Sequence, residues 1–309
     1  MSLAIVFPGQ GSQSIEMLKD LAAAESVVID TFKLASDALG YDLWDITQNG
    51  PQEKLNSTDI TQPALLAAGV ACWKVWQQRG GAAPAMLAGH SLGEYTALVC
   101  SGVLDFADAI KLVEVRGQFM QQAVPEGQGG MAAILGLDDA KVVEACEQAA
   151  ESDVLQAVNY NSPGQVVVAG SKAAIERVVT VAKELGAKRA LPLPVSVPSH
   201  CDLMKPAAEQ LAEKLKTVNF NEASIPVINN VDVIAETDEN KIRDALVRQL
   251  YKPVRWVEVI QKMSSEGVDE LVECGPGRVL IGLNKRIDKS MSAAAVFDPA
   301  SFDKALASE

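Results

Sequence analysis

Gly89-His90-Ser91-Leu92-Gly93 carries the strongest chemical signal in this sequence, because it fits the pattern G-x-S-x-G. In that pattern small residues allow a sharp strand-to-helix turn that presents the serine as a nucleophile. An apolar run at 85–88 precedes the segment and an amphipathic stretch at 92–99 follows it. This context favours a catalytic Ser91 over an ordinary glycine-lined turn. The N–H of Leu92, at the helix start, is then a candidate donor to an oxyanion.

The chain has two histidines, His90 and His200, and imidazole is the usual general base near neutral pH. His90 adjoins Ser91 on the strand side of the turn, so it is poorly placed to reach the neighbouring hydroxyl. We interpret His90 as structural and keep it as a candidate substrate-binding residue. His200 follows Pro198 in a loop that could overhang the turn. It is the candidate base, and the alternative is a surface histidine.

Two further segments could contact a ligand. In 7–13 (FPGQGSQ), glycines let backbone amides approach a ligand closely. The loop fits a dinucleotide-binding G-x-G-x-x-G poorly because Ser14 stands at the third glycine, so a second oxyanion donor at Gln10 suits it better. Arg116 lies in a predicted helix among mostly apolar residues. A guanidinium there either pairs with an acid or binds an anionic ligand, and the residues alone leave both open.

Alternating apolar runs and amphipathic stretches are expected to position these residues, which is the pattern of a mostly parallel sheet with crossover helices. The predicted strands are 3–8, 85–90 and 269–274, and the predicted helices are 61–79, 92–101, 106–123 and 278–286. Pro63 is expected in the first turn of its helix. The sequence therefore predicts an α/β fold.

A breaker-rich joint at 125–130 changes the order of elements. We predict strand 131–137, helix 139–150, strands 154–160 and 165–169, helix 172–185 and strand 188–193. This βαββαβ order is ferredoxin-like. We therefore predict a catalytic core over 1–126 and 197–309 with an inserted small subdomain over 127–196.

Composition excludes several classes of protein. The 309 residues are 48% hydrophobic and 22% charged, which is typical of a globular chain and not of a disordered one. The apolar stretch 63–73 is far shorter than the roughly 20 residues that span a bilayer, and no basic region precedes the first apolar run. We expect a cytoplasmic protein with no membrane partner. The net charge of −13 argues against nucleic acid as a partner. The five cysteines lack CxxC spacing, and their odd number does not indicate a disulfide framework.

Several motifs together resemble one family, the malonyl-CoA:acyl carrier protein transacylases of bacterial fatty acid synthesis and the related acyltransferase domains of fatty acid and polyketide synthases. The resemblance covers essentially the whole chain. The motifs are 7–13, Gln62-Pro63, 89–94, Arg116 within Val-Arg-Gly, 161–165, Ser199-His200 and 273–277. The implied fold is a hydrolase-like α/β core with an inserted ferredoxin-like subdomain.

The resemblance implies a two-step transfer of malonyl from malonyl-CoA to the phosphopantetheine thiol of acyl carrier protein through Ser91. It implies that His200 serves both steps and that a backbone carbonyl, here that of Gln249, orients it. Arg116 would bind the malonyl carboxylate with support from Gln62, and backbone N–H groups of Gln10 and Leu92 would hold the oxyanion. No cofactor and no metal are implied.

One departure concerns the acyl group: synthase-embedded malonyl-specific domains often have Phe before the base, where this chain has Ser199. Freestanding bacterial members resemble the chain more closely, so we keep malonyl. For the carrier protein, which is acidic like this chain, we predict docking on Lys285, Arg286 and Lys289. The alternative for that patch is a solvated face.

Two other functions remain open. An esterase or thioesterase would share Ser91 and use water as the acceptor. The absence of an HGGG motif and the position of His200 about two-thirds along the chain argue against it. The second is a non-catalytic protein that binds acyl carrier protein.

Overall fold

The computed structural model describes residues 2–195 and 197–307 of the chain. The first part contains β1 (Leu3–Phe7), α1 (Lys19–Ala24), α2 (Ser26–Leu39), α3 (Leu43–Asn49), α4 (Gln52–Leu55), α5 (Thr58–Gln78), β2 (Met86–Gly89), α6 (Leu92–Cys100) and α7 (Phe106–Ala123). The middle part contains β3 (Gly129–Leu135), α8 (Asp139–Ala150), β4 (Leu155–Ser162), β5 (Gln165–Ser171), α9 (Lys172–Glu184) and β6 (Arg189–Pro192). The last part contains α10 (Lys205–Leu215), β7 (Val227–Ile228), α11 (Glu239–Gln249), α12 (Trp256–Ser265), β8 (Glu270–Cys274), α13 (Val279–Ile287), β9 (Ser292–Val296) and α14 (Pro299–Leu306).

A parallel sheet forms the centre of the larger unit. Its strands lie in the order β7-β2-β1-β8-β9 within the described chain, and each of these pairings is parallel. Alternate residues of β1 join separate apolar clusters: Ile5 and Phe7 one, Ala4 and Val6 the other. The strand is therefore covered on both faces, as parallel strands usually are. The predicted α/β class with a mostly parallel sheet is confirmed.

The register brings the predicted site segments together. Phe7 at the end of β1 lies beside Gly89 at the end of β2. The loop that begins at Pro8 and the turn at Ser91 therefore leave the same edge of the sheet. Ligands of open α/β sheets bind at this carboxyl edge.

The smaller unit has the predicted βαββαβ order. Its strands lie in the order β4-β5-β3-β6, with antiparallel neighbours. The hairpin between β4 and β5 turns at Pro163 and Gly164, and Gly164 has φ 71°, which glycine adopts without strain. The predicted ferredoxin-like arrangement is confirmed.

The two units are joined by backbone hydrogen bonds as well as by the chain. Val254 N–H donates to Val158 of β4 at 2.8 Å, and Tyr160 N–H donates back to Val254 at 3.0 Å. The segment after α11 is thus attached to an edge of the antiparallel sheet. The predicted division at 126/127 and 196/197 stays a prediction, and residue 196 itself lies outside the described residues.

Helix α5 begins three residues before its predicted start, so the expectation that Pro63 lies in the first turn is wrong. Ile60 and Thr61 donate to the carbonyl of Ser57, which begins the helix at Thr58. Pro63 lies inside the helix, where its missing N–H removes one intrahelical hydrogen bond. Apolar packing along this almost wholly buried helix outweighs that loss.

Helix α13 is attached to the sheet by a buried carboxylate. Glu273 in β8 accepts hydrogen bonds from Leu280 N–H at 3.1 Å and Ile281 N–H at 3.0 Å. These are N–H groups that a helix start leaves without intrahelical partners, and negative charge is favourable there. The motif 273–277 therefore fixes where α13 begins.

Among the described residues, no helix is long and apolar enough to cross a membrane.

Gly93→Ala should lower the melting temperature strongly. A Cβ at Gly93 would lie 2.1 Å from the carbonyl oxygen of Phe7, and backbone of the central strand cannot move aside cheaply. We expect a destabilisation of about 3 kcal/mol, the upper end for overpacking. Thermal unfolding followed by circular dichroism measures it.

Gly282→Ala is the matched control, because that glycine also lies in a helix but a Cβ there meets nothing within 4 Å. It should be neutral or stabilising by up to about 1 kcal/mol. Equal effects of the two substitutions would contradict the packing argument.

Candidate active site

Ser91 lies in a strained turn between β2 and α6. Its φ of 52° and ψ of −108° are unusual for a residue other than glycine, and such strain is concentrated at functional sites. The flanking glycines permit the turn: a Cβ at Gly89 would lie 1.8 Å from the carbonyl carbon of Gly93. The sequence pattern therefore has a direct steric cause.

Asn230 holds the turn in place. Its side-chain oxygen accepts from Ser91 N–H at 2.7 Å, and its amide nitrogen donates to the Gly89 carbonyl at 2.8 Å. Sequence reasoning missed this residue, because an asparagine pair after a short strand has no distinctive spacing. Its one signal was a pair of amides, 229–230, at the carboxyl end of an apolar run.

His200 makes the contacts of a general base. Its Nε2 lies 2.8 Å from Ser91 Oγ, and its Nδ1 lies 2.6 Å from the backbone oxygen of Gln249. Because a carbonyl only accepts, Nδ1 carries the proton and Nε2 is free to accept from the serine hydroxyl. The structure thus brings Ser91, His200 and the Gln249 carbonyl together in the predicted order.

The end of helix α11 supplies that carbonyl. Gln249 is the last residue of α11, where carbonyls have no intrahelical partner. The Leu250 carbonyl accepts the backbone N–H of His200 at 2.9 Å. Both the ring and the backbone of His200 are therefore fixed by one helix end, which also holds the residue at its φ of 66°.

The imidazole of His200 is held neutral. Its pKa is lowered to about 3, first by burial and then by the charge of Arg116, and the bond to Gln249 opposes both. The side chain is only 3% exposed. At neutral pH this ring is a proton acceptor.

Gln10 and Leu92, the predicted oxyanion donors, both line the cleft beside Ser91. The 7–13 loop packs tightly on the turn, since a Cβ at Gly9 would lie 2.5 Å from the His90 carbonyl oxygen. Within 2–195 and 197–307, neither backbone N–H is bonded to a protein acceptor. Their role as donors stays a prediction.

Arg116 of α7 reaches the same cleft and is 1% exposed. Its Nη1 donates to Gln62 at 2.8 Å and its Nη2 to the side-chain oxygen of Gln249 at 3.0 Å. The ring of Tyr95 lies 5.2 Å from the guanidinium carbon. No carboxylate of the described chain forms an ion pair with it, so Arg116 has donors to offer an anion.

Glu94 contacts Gln249 on the side away from Arg116 and is 2% exposed. Its Oε2 accepts from Gln249 Nε2 at 2.8 Å and from Asn230 N–H at 2.9 Å. Burial raises its pKa to about 7. Sequence reasoning included Glu94 only as the last residue of a motif, and the signal that could have found its role was a carboxylate on an otherwise apolar helix.

His90 contacts the smaller unit instead of Ser91. Its Nε2 lies 2.8 Å from the side-chain oxygen of Asn161 in β4, and its ring packs 5.5 Å from that of Trp256. Burial lowers its pKa. This geometry favours the structural interpretation, while its place in the cleft lining leaves substrate binding a prediction.

The predicted docking residues lie outside the cleft. Lys285 and Arg286 lie in the last turn of α13, Lys289 follows the helix, and all three are exposed. Arg286 donates to the side chain of Gln165 at 2.7 Å, and Gln165 is a cleft residue. The patch therefore contacts the cleft lining through the hydrogen bond between Arg286 and Gln165.

The cleft lies between the two units and encloses about 1000 Å³, including space open to solvent. The larger unit contributes the serine, the base and Arg116, and the smaller unit contributes residues such as Asn161 and Gln165. Within the described chain no group of His, Cys, Asp and Glu residues is arranged to hold a metal ion. The arrangement can form an acyl-serine and can receive an acyl group that ends in an anion.

A model of the acyl transferase domain family matches residues 4–296. The chain belongs to this family. The malonyl CoA-acyl carrier protein transacylase of Escherichia coli strain K12 is 62% identical over 98% of each chain. The protein of that name from Bacillus subtilis strain 168 is 43% identical over 98% of this chain and 96% of its own length.

Solved structures agree with this family assignment. An acyl carrier protein S-malonyltransferase from Vibrio cholerae is 63% identical, with a TM-score of 0.96 over 99% of this chain and 100% of the other. The complex of a type II PKS acyl-carrier protein with its malonyl-transacylase matches at 58% identity and a TM-score of 0.99 over 100% of both. The predicted family and its fold are confirmed, and the chain is an acyltransferase.

The acyltransferase should keep its acylation rate below pH 6.5. A histidine of ordinary pKa would lose about fivefold in neutral form between pH 6.5 and 5.5, whereas the buried His200 remains neutral there. We expect no fall in the second-order rate constant for acylation by malonyl-pantetheine, which lacks the phosphates of CoA. Rapid-quench mass measurement from pH 7.5 to 5.5 gives that constant.

His200→Ala is the control and should be slower by about 10² to 10⁴ at every pH in that range. An acid limb centred at pH 6.5 in the parent enzyme would show that the base is not the buried His200.

Proposed function

We propose that this acyltransferase transfers malonyl from malonyl-CoA to the phosphopantetheine thiol of acyl carrier protein through an ester on Ser91. The observation that carries the proposal is the single cleft in which the Ser91–His200 pair and the anion-accepting Arg116 meet. Relatives at 62% and 43% identity are named for this activity.

In the first half-reaction Ser91 Oγ attacks the thioester carbonyl carbon while His200 Nε2 takes the hydroxyl proton. The oxyanion forms near the N-terminus of α6, where N–H groups and the helix dipole favour negative charge. The imidazolium forms at the C-terminus of α11, which favours positive charge. Collapse of the intermediate breaks the C–S bond, and His200 returns the proton to the CoA thiolate.

The second half-reaction runs the same steps in reverse with another thiol. His200 takes the proton of the phosphopantetheine thiol, whose sulfur attacks the Ser91 ester. Collapse then breaks the bond to Ser91 Oγ, and His200 returns the proton to that oxygen. No cofactor takes part in this proposal.

Arg116 would select the acyl group. Two of its donors are bonded to amide oxygens of Gln62 and Gln249, and Nε has no partner among the described residues. A carboxylate is the acceptor that suits a buried guanidinium best. The side-chain amides of Gln62 and Gln249 hold the guanidinium in place without neutralising its charge.

Acyl carrier protein as the acceptor is supported by the family name and by the matching complex with an acyl-carrier protein. We propose Lys285, Arg286 and Lys289 as its docking residues, since they form a local basic group beside the cleft on an acidic chain. The cytoplasm as the place of this reaction stays a prediction.

The hydrolase alternative shares Ser91 but needs no buried cation for the acyl group, and the binding-module alternative needs no aligned base. The 2.8 Å contact between Ser91 and His200 and the buried Arg116 both favour the transferase.

Malonyl-CoA mixed with the enzyme should give a malonyl adduct by intact mass, and added carrier protein should remove that adduct as malonyl carrier protein. Ser91→Ala should form no adduct, because the hydroxyl is the proposed covalent site. An adduct lost to water at the same rate without carrier protein would indicate a hydrolase, and no adduct on the parent enzyme a binding module.

Arg116→Ala should reduce kcat/KM for malonyl-CoA by about 30- to several-thousand-fold, which corresponds to roughly 2 to 5 kcal/mol for one lost side of a buried charge pair. Acetyl-CoA, which has no carboxylate, should lose little or improve. The ratio of the two constants is the measurement. Arg177→Ala, which removes a partly exposed ion pair of the smaller unit, should leave that ratio unchanged.

Charge reversal at Lys285, Arg286 and Lys289 should raise KM for carrier protein and weaken its salt dependence, because rim charges act mainly on association. Transfer to free pantetheine should not change. Lys214→Glu, a partly exposed lysine of α10, is the control. An equal loss with free pantetheine would show that the patch is assigned wrongly.

A further inference from the structure

Two opposite charges are buried behind the nucleophile without touching each other. Arg116 is 1% exposed and Glu94 2%, and neither forms an ion pair within the described chain. The amide of Gln249, itself fully buried, lies between them: its oxygen accepts from Arg116 at 3.0 Å and its nitrogen donates to Glu94 at 2.8 Å. The two charges are therefore linked through one amide group.

The polarity of that amide follows from its partners. A guanidinium only donates and an ionised carboxylate only accepts, so the Gln249 oxygen must face Arg116 and its nitrogen must face Glu94. Burying one charge alone is costly, whereas this arrangement leaves the pair neutral overall. Glu94 is thus a buried charge balance for Arg116, to which Gln249 links it.

A bound acyl carboxylate would change this balance. It would place a second carboxylate on the one guanidinium, and the buried group would then carry a net negative charge. Two carboxylates that share one site cannot both ionise freely, so the pKa of one of them rises. The ligand carboxylate bonds Arg116 directly, which leaves Glu94 as the one to be protonated.

We propose that Glu94 is the internal counter-ion of Arg116 and takes up one proton from solvent when a carboxylated acyl group replaces it in that role. Glu94 is then a specificity-determining residue, since the proton uptake accompanies malonyl but not acetyl. This inference rests on the proposed function.

A small cavity borders Glu94 on the side of Asn229 and Glu236. Glu94 lines it together with Asn229, Glu236 and apolar residues, and it encloses about 250 Å³ including open space. The Glu236 side chain is 18% exposed, and the amide nitrogen of Asn229 has no partner among the described residues. The back of Glu94 therefore faces polar groups that lead toward the surface.

The remaining charged groups around Glu94 are already accounted for. On α6, Tyr95 has its pKa raised to about 12 by burial, so it stays neutral. Asp232, after β7, is paired with Arg248 of α11 at 2.6 Å, and Glu236 lies 3.7 Å from Lys241. His200 has its pKa lowered to about 3.

Burial raises the pKa of Glu94 itself to about 7, against the hydrogen bonds from Gln249 and Asn230 that lower it. The charge of Arg116 adds a further opposition. A ligand carboxylate that neutralises Arg116 removes that opposition. The pKa of Glu94 then rises on binding, so affinity for the carboxylated ligand falls as the pH rises above about 7.

Binding to the Ser91→Ala variant, which cannot be acylated, tests the proposal. Calorimetry in buffers of different ionisation enthalpy measures proton uptake with malonyl-CoA and with acetyl-CoA, which carries the same phosphates. At pH 8 we expect the protein to take up as much as one proton more when it binds malonyl-CoA than when it binds acetyl-CoA. At pH 6 we expect a much smaller difference. The affinity ratio should fall by up to tenfold per pH unit above 7.

Adding Glu94→Gln should abolish this difference and make the ratio independent of pH. Glu273→Gln is the matched control: Glu273 is also buried with a pKa raised to about 7, but it caps α13 and does not contact Gln249. That substitution should leave the difference intact.

Equal proton uptake with both thioesters would overturn the proposal, as would a difference that persists in the Glu94→Gln variant. If that variant fails to bind acetyl-CoA, the Ser91→Ala measurements decide alone. Malonyl transfer by the parent enzyme without differential uptake refutes this inference only, whereas absent transfer refutes the proposed function.

Discussion

The active-site geometry depends on one residue, Gln249, at the point where helix α11 ends. Its backbone carbonyl fixes the proton on His200 Nδ1, and its side-chain oxygen holds Arg116. Its side-chain nitrogen donates to Glu94 and, at 3.1 Å, to the carbonyl of Ser91. The base, the anion site and the nucleophile therefore share one support. A shift of this helix end would disturb all three together, and Gln249 is completely buried.

The nucleophile has a second constraint, which is steric. The turn at Ser91 can form only if backbones approach within distances that a side chain would prevent, at Gly89, at Gly93 against Phe7, and at Gly9 against His90. Strain of this kind persists where the surroundings over-determine it. Here the surroundings are the register of β1 with β2 and the two hydrogen bonds of Asn230. The parallel sheet thus positions the serine before any side chain of the cleft does.

The sequence predicted those parts of the site that carry a pattern. Ser91 has its glycines, His200 is one of two histidines, and Arg116 is a cation on an apolar helix face. Most predicted elements agree with the structure to within a residue or two, because apolar periodicity reports burial directly. Asn161, Asn230 and the amide side chain of Gln249 could not be found in the same way. Their roles depend on a partner more than 70 positions away, and an amide in a loop has no period. Pro63 misled the prediction of a helix start, because a proline in the second turn forfeits one hydrogen bond and the buried face of α5 compensates for it.

Arg116 has opposing effects on binding and on catalysis. Its charge attracts a carboxylate, yet the same charge lowers the pKa of His200 and so weakens the base. A bound acyl carboxylate would neutralise the guanidinium and remove this lowering of the His200 pKa, which is second to that of burial, at the moment when Ser91 must lose its proton. An acyl group without a carboxylate leaves the charge in place and meets the weaker base. Selection in this cleft therefore acts on the acylation step as well as on affinity, because the residue that recognises the acyl group is electrostatically coupled to the residue that activates the nucleophile.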